Sequence, residues 1–254
     1  MSTSTPRFEP LSFGALLDQT FRFYVRDFVP LALLSLICNA PVLVGSVLGV
    51  LLLPAHSQPL VNLAILPVAV VTGSLLVGAL TITVSQRYLG QPVSIGAALS
   101  RTLRSLLSLI GSQLLVGIWI FLGLLLFIVP GILWAFSLSL VVPAVILEGC
   151  AGSNALARSK ELVRYQRGKV VGVIVVIGLL VLMLQIAMGA TMGVVVAASG
   201  GSFEGNVWLE IASNLMAYIL APLSSVALVL LYYDLRIRKE GFDLEMLSGE
   251  MTRS

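Results

Sequence analysis

The sequence is short of charge where its apolar runs are longest. Only 11% of its 254 residues are charged and 58% are hydrophobic, whereas soluble domains carry about 25% charged residues, so a soluble globule is excluded. Histidine is nearly missing. The one copy, His56, lies in a short connection between Pro54 and Pro59 with no acidic neighbour, a poor metal site. The two cysteines, Cys38 in an apolar run and Cys150 in a basic connector, give no disulfide framework. There is no glycine-rich phosphate loop, no nucleophile elbow and no His/Cys metal spacing. No basic–aromatic periodicity points to nucleic acid. The expectation is therefore no cofactor, no metal, no nucleic-acid partner and no catalytic constellation.

What is present is six long apolar runs: Phe28–Leu53, Leu60–Ser85, Ser105–Val129, Pro130–Leu147, Val170–Ser199 and Val207–Tyr233. Each is long enough to cross a hydrocarbon core of about 30 Å. Backbone groups cannot go unpaired in lipid, so each is expected to be helical. Five hold no charge and the sixth holds only Glu210, near its start. Deep ionisable groups usually mark a proton or ion route, so their absence argues against a proton-coupled pump or an ion channel. The first run is too long for a signal-peptide core, and its helix is expected to stay in the mature protein.

All fifteen Lys and Arg residues fall before run one, between two and three, between four and five, or after six. The alternate connections hold none. By the positive-inside rule, both termini are cytoplasmic. The fold class is all-α: a polytopic bundle of six transmembrane helices with short amphipathic interfacial helices. It forms one integral membrane domain, with a cytoplasmic amphipathic segment (1–27), the bundle (28–233) and a basic tail (234–254).

The most charged internal stretch, Glu148–Lys169, reads EGCAGSNALARSKELVRYQRGK and is expected to be a short amphipathic helix on the cytoplasmic face. Weaker copies precede runs one and three. From Ser12 to Arg22 and from Ser94 to Arg104, six of eleven residues are identical at an offset of 82. Leu156, Arg158 and Ser159 fit the frame of Leu99, Arg101 and Thr102. Three units are expected, each a surface helix followed by a transmembrane hairpin, as in membrane proteins built from repeats. In the first copy Phe13, Leu16, Leu17, Thr20, Phe21, Tyr24 and Phe28 share one face, and Ser12 is the expected N-cap. That face meets either lipid headgroups or the protein's own end. Pro41, Pro67, Pro143 and Pro222 are expected to kink their helices, and Pro130-Gly131 to open run four as a tight turn. Gly45/Gly49, Gly168/Gly172 and Gly189/Gly193 have the spacing that lets helices approach closely, read first as packing within the monomer.

Four polar residues lie inside the runs: Asn39, Gln113, Gln185 and Asn214. Gathered round a cavity they would make a substrate path; otherwise they are ordinary interhelical hydrogen-bond partners, the reading preferred here. Glu148 ends run four and is expected to pair with Arg158 or another connector cation, with a gate or ligand contact as the functional alternative. Asp234 and Arg236, in the segment YYDLRIRK, mark a membrane exit: aromatics at the interface, then cations able to meet anionic lipid.

The segments VVPAVILE (141–148), ALARSKELV (155–163), LYYDLRIRKEGFD (231–243) and LDQTFRFY (17–24) resemble the membrane domain of glycerophosphoryl diester phosphodiesterases. The resemblance implies the multi-helix topology and a bacterial-type plasma (inner) membrane. In fused members the catalytic part is a separate soluble barrel using His, paired carboxylates and a metal. No residue of this chain matches it, so the resemblance implies no phosphodiesterase activity. The leading expectation is a non-enzymatic membrane module that binds lipid, organises the membrane or serves as an accessory or scaffold. A protein partner or a second copy would fit such a role. The alternative is a small permease or lipid transporter with a polar path near Asn39, Gln113, Gln185 and Asn214. A membrane-embedded lipid enzyme would have to use Glu148, Glu161 and Asp234 without a nearby histidine.

Overall fold

The protein is described by a computed structural model over residues 11–198 and 207–240. Arg7, the Gly200–Asn206 connection and the tail with Arg253 lie outside these described residues. Helices account for nearly all of the structure, and there is no strand among the described residues. In order they are α1 (Phe13–Arg26), α2 (Phe28–Leu52), α3 (Gln58–Tyr88), α4 (Ile95–Arg104), α5 (Leu106–Leu126), α6 (Ile128–Ser137), α7 (Val141–Glu148), α8 (Ser153–Val163), α9 (Arg167–Ala198) and α10 (Val207–Glu240), with a 3-10 turn at Ala55–Ser57 between α2 and α3. Six stretches are long and apolar enough to cross a membrane: α2, α3, α5, the α6–α7 pair, α9 and α10. The chain is a multi-pass integral membrane protein.

The three-unit repeat appears in detail. Ser12 caps α1 by accepting from the Ala15 N–H (3.2 Å), and Ser94 caps α4 by accepting from the Ala97 N–H (3.4 Å). Leu16, Ala98 and Ala155 occupy the same register and are all buried, as are Thr20, Thr102 and Ser159. The third copy has Gly152, not Ser, before its first turn. Its helix covers Ser153–Val163 alone. Glu148 belongs to α7, and Arg167 and Lys169 to α9, so the expected single surface helix over 148–169 is shorter than its charge run.

The units close into a ring. Surface helix α4 packs on α3 and α8 on α7, each against the second limb of the hairpin before it, while α1 packs on α10, the second limb of the last hairpin. The first limbs repeat this pattern: α5 lies on α3, α9 on α6 and α2 on α10. The second limbs α3, α7 and α10 thus form the middle. Helix α10 is the most enclosed span, 56% of its apolar window being buried against 17% for α5 and for α9. Association in lipid depends on close packing, since lipid tails are as apolar as the side chains. Small residues sit where that packing is tightest. A Cβ added at Gly78 would come 2.4 Å from Thr102 Cγ2, and one at Gly49 would come 2.4 Å from Val61. The Gly45/Gly49 pair therefore packs within the monomer, α2 against α3. Gly172 receives the Phe13 ring, whereas Gly168 and Gly189 meet no close neighbour.

Two expectations about run four change. The turn that opens it is at Phe127, whose backbone is extended; α6 starts at Ile128, and Pro130 is its third residue. The run is also two helices, broken at Leu138–Leu140. Pro143 lacks an N–H and its ring crowds the carbonyl four residues back, so it sits comfortably only in a first turn, which α7 provides. The break would leave buried backbone groups without partners, and Ser159 of α8 stitches it: its hydroxyl accepts from the Leu140 N–H (3.2 Å) and donates to the Ser137 carbonyl (2.8 Å). Pro41, Pro67 and Pro222 lie inside helices that continue through them.

Candidate functional site

All three hairpins begin and end at one face of the bundle, and three clusters of paired ionic residues form there, apart from the exposed Asp18–Arg22 pair on α1. Each holds one carboxylate shielded from solvent.

The first cluster joins the α1–α2 break to the end of α3. A charged residue at the edge of an apolar run stays in the structure only if it is paired. Asp27, 3% exposed, accepts on Oδ1 from Arg87 (Nε 2.7 Å, Nη2 2.6 Å) and on Oδ2 from Arg26 (Nε 2.9 Å, Nη2 2.9 Å). Arg26 also stands over the Phe23 ring, 5.1 Å from its centroid. Beside this ion triplet lies a cleft of about 220 Å³ lined by Phe23, Asp27, Pro30, Leu31, Thr83, Arg87, Val93 and Ile95.

The second cluster contains the expected pair of Glu148 and Arg158. Arg158 Nε donates to Glu148 Oε2 at 2.6 Å, and the buried Tyr232 hydroxyl donates to Oε1 at 2.5 Å. Arg158 also reaches Glu161 at 3.4 Å, and Lys239 bonds the other Glu161 oxygen. The Lys239 hydrogen bond, with help from Arg158, holds the Glu161 carboxyl below its usual range against the opposing effect of desolvation.

The third cluster closes the ring. Asp234, 1% exposed, accepts from Lys169 Nζ (2.5 Å), from Arg238 Nε (3.2 Å) and from the Leu11 N–H (2.7 Å). Lys169 and Arg238 both also donate to the Leu11 carbonyl, at 2.6 and 2.7 Å. Asp234 is therefore a buried anchor. Arg236 is a half-buried neighbour of Tyr232 and Tyr233. Tyr24 adds a further bond on this seam, donating to the Ile219 carbonyl at 2.8 Å, and burial raises its phenol pKa.

The structure brings Glu148 and Arg158 together and separates Asp234 from both. It adds Asp27, Arg87, Lys169 and Tyr232, which sequence reasoning did not single out. The visible signal was a charge at the very edge of an apolar run: Asp27 one residue before run one, Arg87 two residues after run two, Lys169 one residue before run five.

The intramembrane polar residues go to separate places. Asn39 donates to the Ser35 carbonyl one turn back on α2 (3.0 Å), and Gln113 accepts from Ser74 across α5 and α3 (2.7 Å). Asn214 accepts from Tyr218 on the same helix (3.4 Å). Gln185 is exposed and lines a second, apolar pocket of about 210 Å³ between α9 and α10 with Met188, Met192 and Met216. His56 is exposed, and no His/Cys/Asp/Glu group able to hold a metal occurs among the described residues. Comparison with protein-family models, curated proteins and solved structures finds no match to this chain.

The surface helices expose a second kind of feature. The face of α1 toward the bundle is centred on Leu16, Thr20 and Phe23, with Leu17 and Tyr24 packed beside them; of the expected set Phe13 and Phe21 stay exposed, although the Phe13 ring still meets Gly172. Phe21 and Val25 are exposed beside Arg22 and Arg26, and Leu103 and Leu107 beside Arg101 and Arg104. So α1 packs on protein along one side and leaves an open apolar and cationic edge on the other.

Proposed function

We propose that this chain is a non-enzymatic, lipid-engaging module of the plasma (inner) membrane, with both termini in the cytoplasm, that organises lipid at its cytoplasmic face or holds a partner there. One observation carries the reading: the charged end presents exposed apolar side chains (Phe21, Val25, Leu103, Leu107) interleaved with exposed cations (Arg22, Arg26, Arg101, Arg104). Apolar residues sinking into the headgroup boundary beside cations give binding that favours anionic lipid, at about 1 kcal/mol per cation near the surface. The resemblance to the phosphodiesterase membrane domain supports the same placement. The shielded carboxylates Asp27, Glu148 and Asp234, each paired with cations, support a scaffold more than a reaction centre. Transport is the weaker reading, because Asn39, Gln113 and Asn214 each bond a neighbour at a separate place and Gln185 lines an apolar pocket.

The test is native mass spectrometry from nanodiscs of mixed phosphatidylglycerol and phosphatidylcholine. The expected result is retained phosphatidylglycerol, reduced when Arg22, Arg101 and Arg104 are changed together to Gln. Equal retention of both lipids overturns the reading. Cysteines at positions 101 and 104 should be inaccessible to impermeant reagent from outside, and labelling there overturns the orientation.

A further inference from the structure

The cleft beside Asp27 has features that a purely structural ion cluster does not need. Thr83 and Arg87 are one turn apart on α3, so their side chains are neighbours. Threonines in these helices normally give their hydroxyl to the carbonyl four residues back: Thr20 to Leu16 (2.8 Å), Thr81 to Val77 (2.8 Å) and Thr102 to Ala98 (2.9 Å). Thr83 does not. Its Oγ1 is buried without a hydrogen-bond partner, although the residue lines a cleft that also holds Asp27 and Arg87. A buried hydroxyl left unsatisfied needs an explanation, and an absent ligand is one.

The Arg87 guanidinium lines the cleft, and that of Arg26 is held behind it on the other oxygen of Asp27. Arg26 and Arg87 each commit the Nε and Nη2 side of the fork to one oxygen of Asp27. A guanidinium has five N–H donors, so Nη1 remains on each. Asp27 fixes both cations in place, and the triplet keeps one net positive charge. That charge borders a cleft whose other walls are apolar: Phe23, Pro30, Leu31, Val93 and Ile95. On the flank, Val25, Phe28 and Val29 are exposed in the region where α1 meets α2. An arginine beside a hydroxyl matches the acceptor oxygens of a phosphate, which Arg recognises through its planar fork.

We propose that the cleft binds a phosphate ester, held by Arg87 and the Thr83 hydroxyl, with Asp27 as the positioning residue. The apolar walls and exposed flank favour the headgroup of an anionic phospholipid over a free phosphate. This deepens the lipid-engaging reading and rests on it for the source of the ligand, but not for the site itself.

The experiment uses the full-length protein with Thr83→Val and Arg87→Gln. Thr83→Val keeps the shape and removes a hydroxyl with no partner, so its melting temperature should equal or exceed the wild type's. Phosphatidic acid or phosphatidylglycerol retention in nanodiscs should fall about threefold to tenfold in Thr83→Val and roughly tenfold or more in Arg87→Gln, the ranges of a neutral and a charge-assisted hydrogen bond. Inorganic phosphate is added in parallel and its effect on melting temperature is read. If phosphate raises the melting temperature of the wild type but of neither variant, while phosphatidylglycerol and phosphatidylcholine are retained equally, the cleft stands with a soluble ligand and the lipid reading fails. If Thr83→Val retains lipid like the wild type and phosphate protects neither protein, the cleft is overturned. The lipid reading then survives only if the Arg22, Arg101 and Arg104 variant still loses lipid.

Discussion

Changing Asp234 to Asn keeps the size of the side chain and one acceptor for the Leu11 N–H, but removes the charge facing Lys169. The Asp234 side chain is fully shielded and that of Lys169 is 10% exposed, with 2.5 Å between them. Removing one member of a buried pair costs about 3–5 kcal/mol, because the other charge is left uncompensated. For a chain of this size each kcal/mol moves the melting temperature by roughly 2–4 °C, so a fall of about 10 °C is expected for Asp234→Asn in detergent, read by intrinsic tryptophan fluorescence. Lys169→Met should cost a similar amount. The double variant should recover most of the loss, since replacing both members of a buried pair by neutral groups is often nearly neutral. The Leu11 carbonyl keeps its bond from Arg238 in all three. A fall of under 2 °C in Asp234→Asn would mean the pair does not hold the seam. A double variant as unstable as the sum of the singles would mean that the two residues act independently.

Ser159→Ala should cost about 2 kcal/mol, since it strands the Leu140 N–H and the Ser137 carbonyl; Thr102→Val, which loses only a bond within its own helix, should cost less than half of that in the same melting assay. Gly78→Ala forces a methyl against Thr102 and should destabilise by about 1–3 kcal/mol, with Thr102→Ser, which removes the opposing methyl, restoring most of it. Glu161 has a lowered pKa in the folded state. Its contribution is therefore present above the ordinary glutamate range and lost as pH falls through the folded value. Melting temperature followed from pH 7 to 3 should show a smaller acid-side decline in Glu161→Gln than in the wild type.

The spans were legible because hydropathy and the absence of charge are local properties. The expected Phe28–Leu53 is α2 within one residue. Run six, drawn to Tyr233, is helical as expected, and α10 carries on beyond the apolar run to Glu240, where Asp234, Arg238 and Lys239 bond residues far away in sequence. The break in run four was illegible for a similar reason. Leu138, Ser139 and Leu140 are as compatible with helix as their neighbours, and what stabilises the break is a hydroxyl about twenty positions on. Glu148 and Arg158 could be paired by reading because only a short connector separates them. Asp27 and Arg87 could not, since sixty residues separate them and their meeting depends on how one hairpin closes. The polar residues Asn39 and Gln113 read the same whether they line a path or bond a neighbour.

The ring explains why ionic bonds concentrate where they do. In units one and three an ion pair ties the start of the first limb to the end of the second, with the charges exchanged: Asp27 with Arg87, and Lys169 with Asp234. Only the third pair also grips another unit, through Leu11, 223 residues from Asp234. Within a unit, short connections keep the limbs together. Between the last unit and the first no connection exists, and lipid offers no hydrophobic drive to press one helix on another. That seam has to rely on packing and on polar bonds, and it has both: α1 and α2 lie on α10, while Leu11, Tyr24, Lys169 and Arg238 supply the donors and acceptors across it. The segment before α1 is thus part of the bundle's closure, and a phosphate-binding cleft at the α1–α2 break would sit one helix away from it. A ligand held in the cleft between Phe23 and Arg87 would brace α1 at one end while Asp234 holds Leu11 at the other, so occupancy of the cleft should stabilise the same seam that Asp234→Asn weakens.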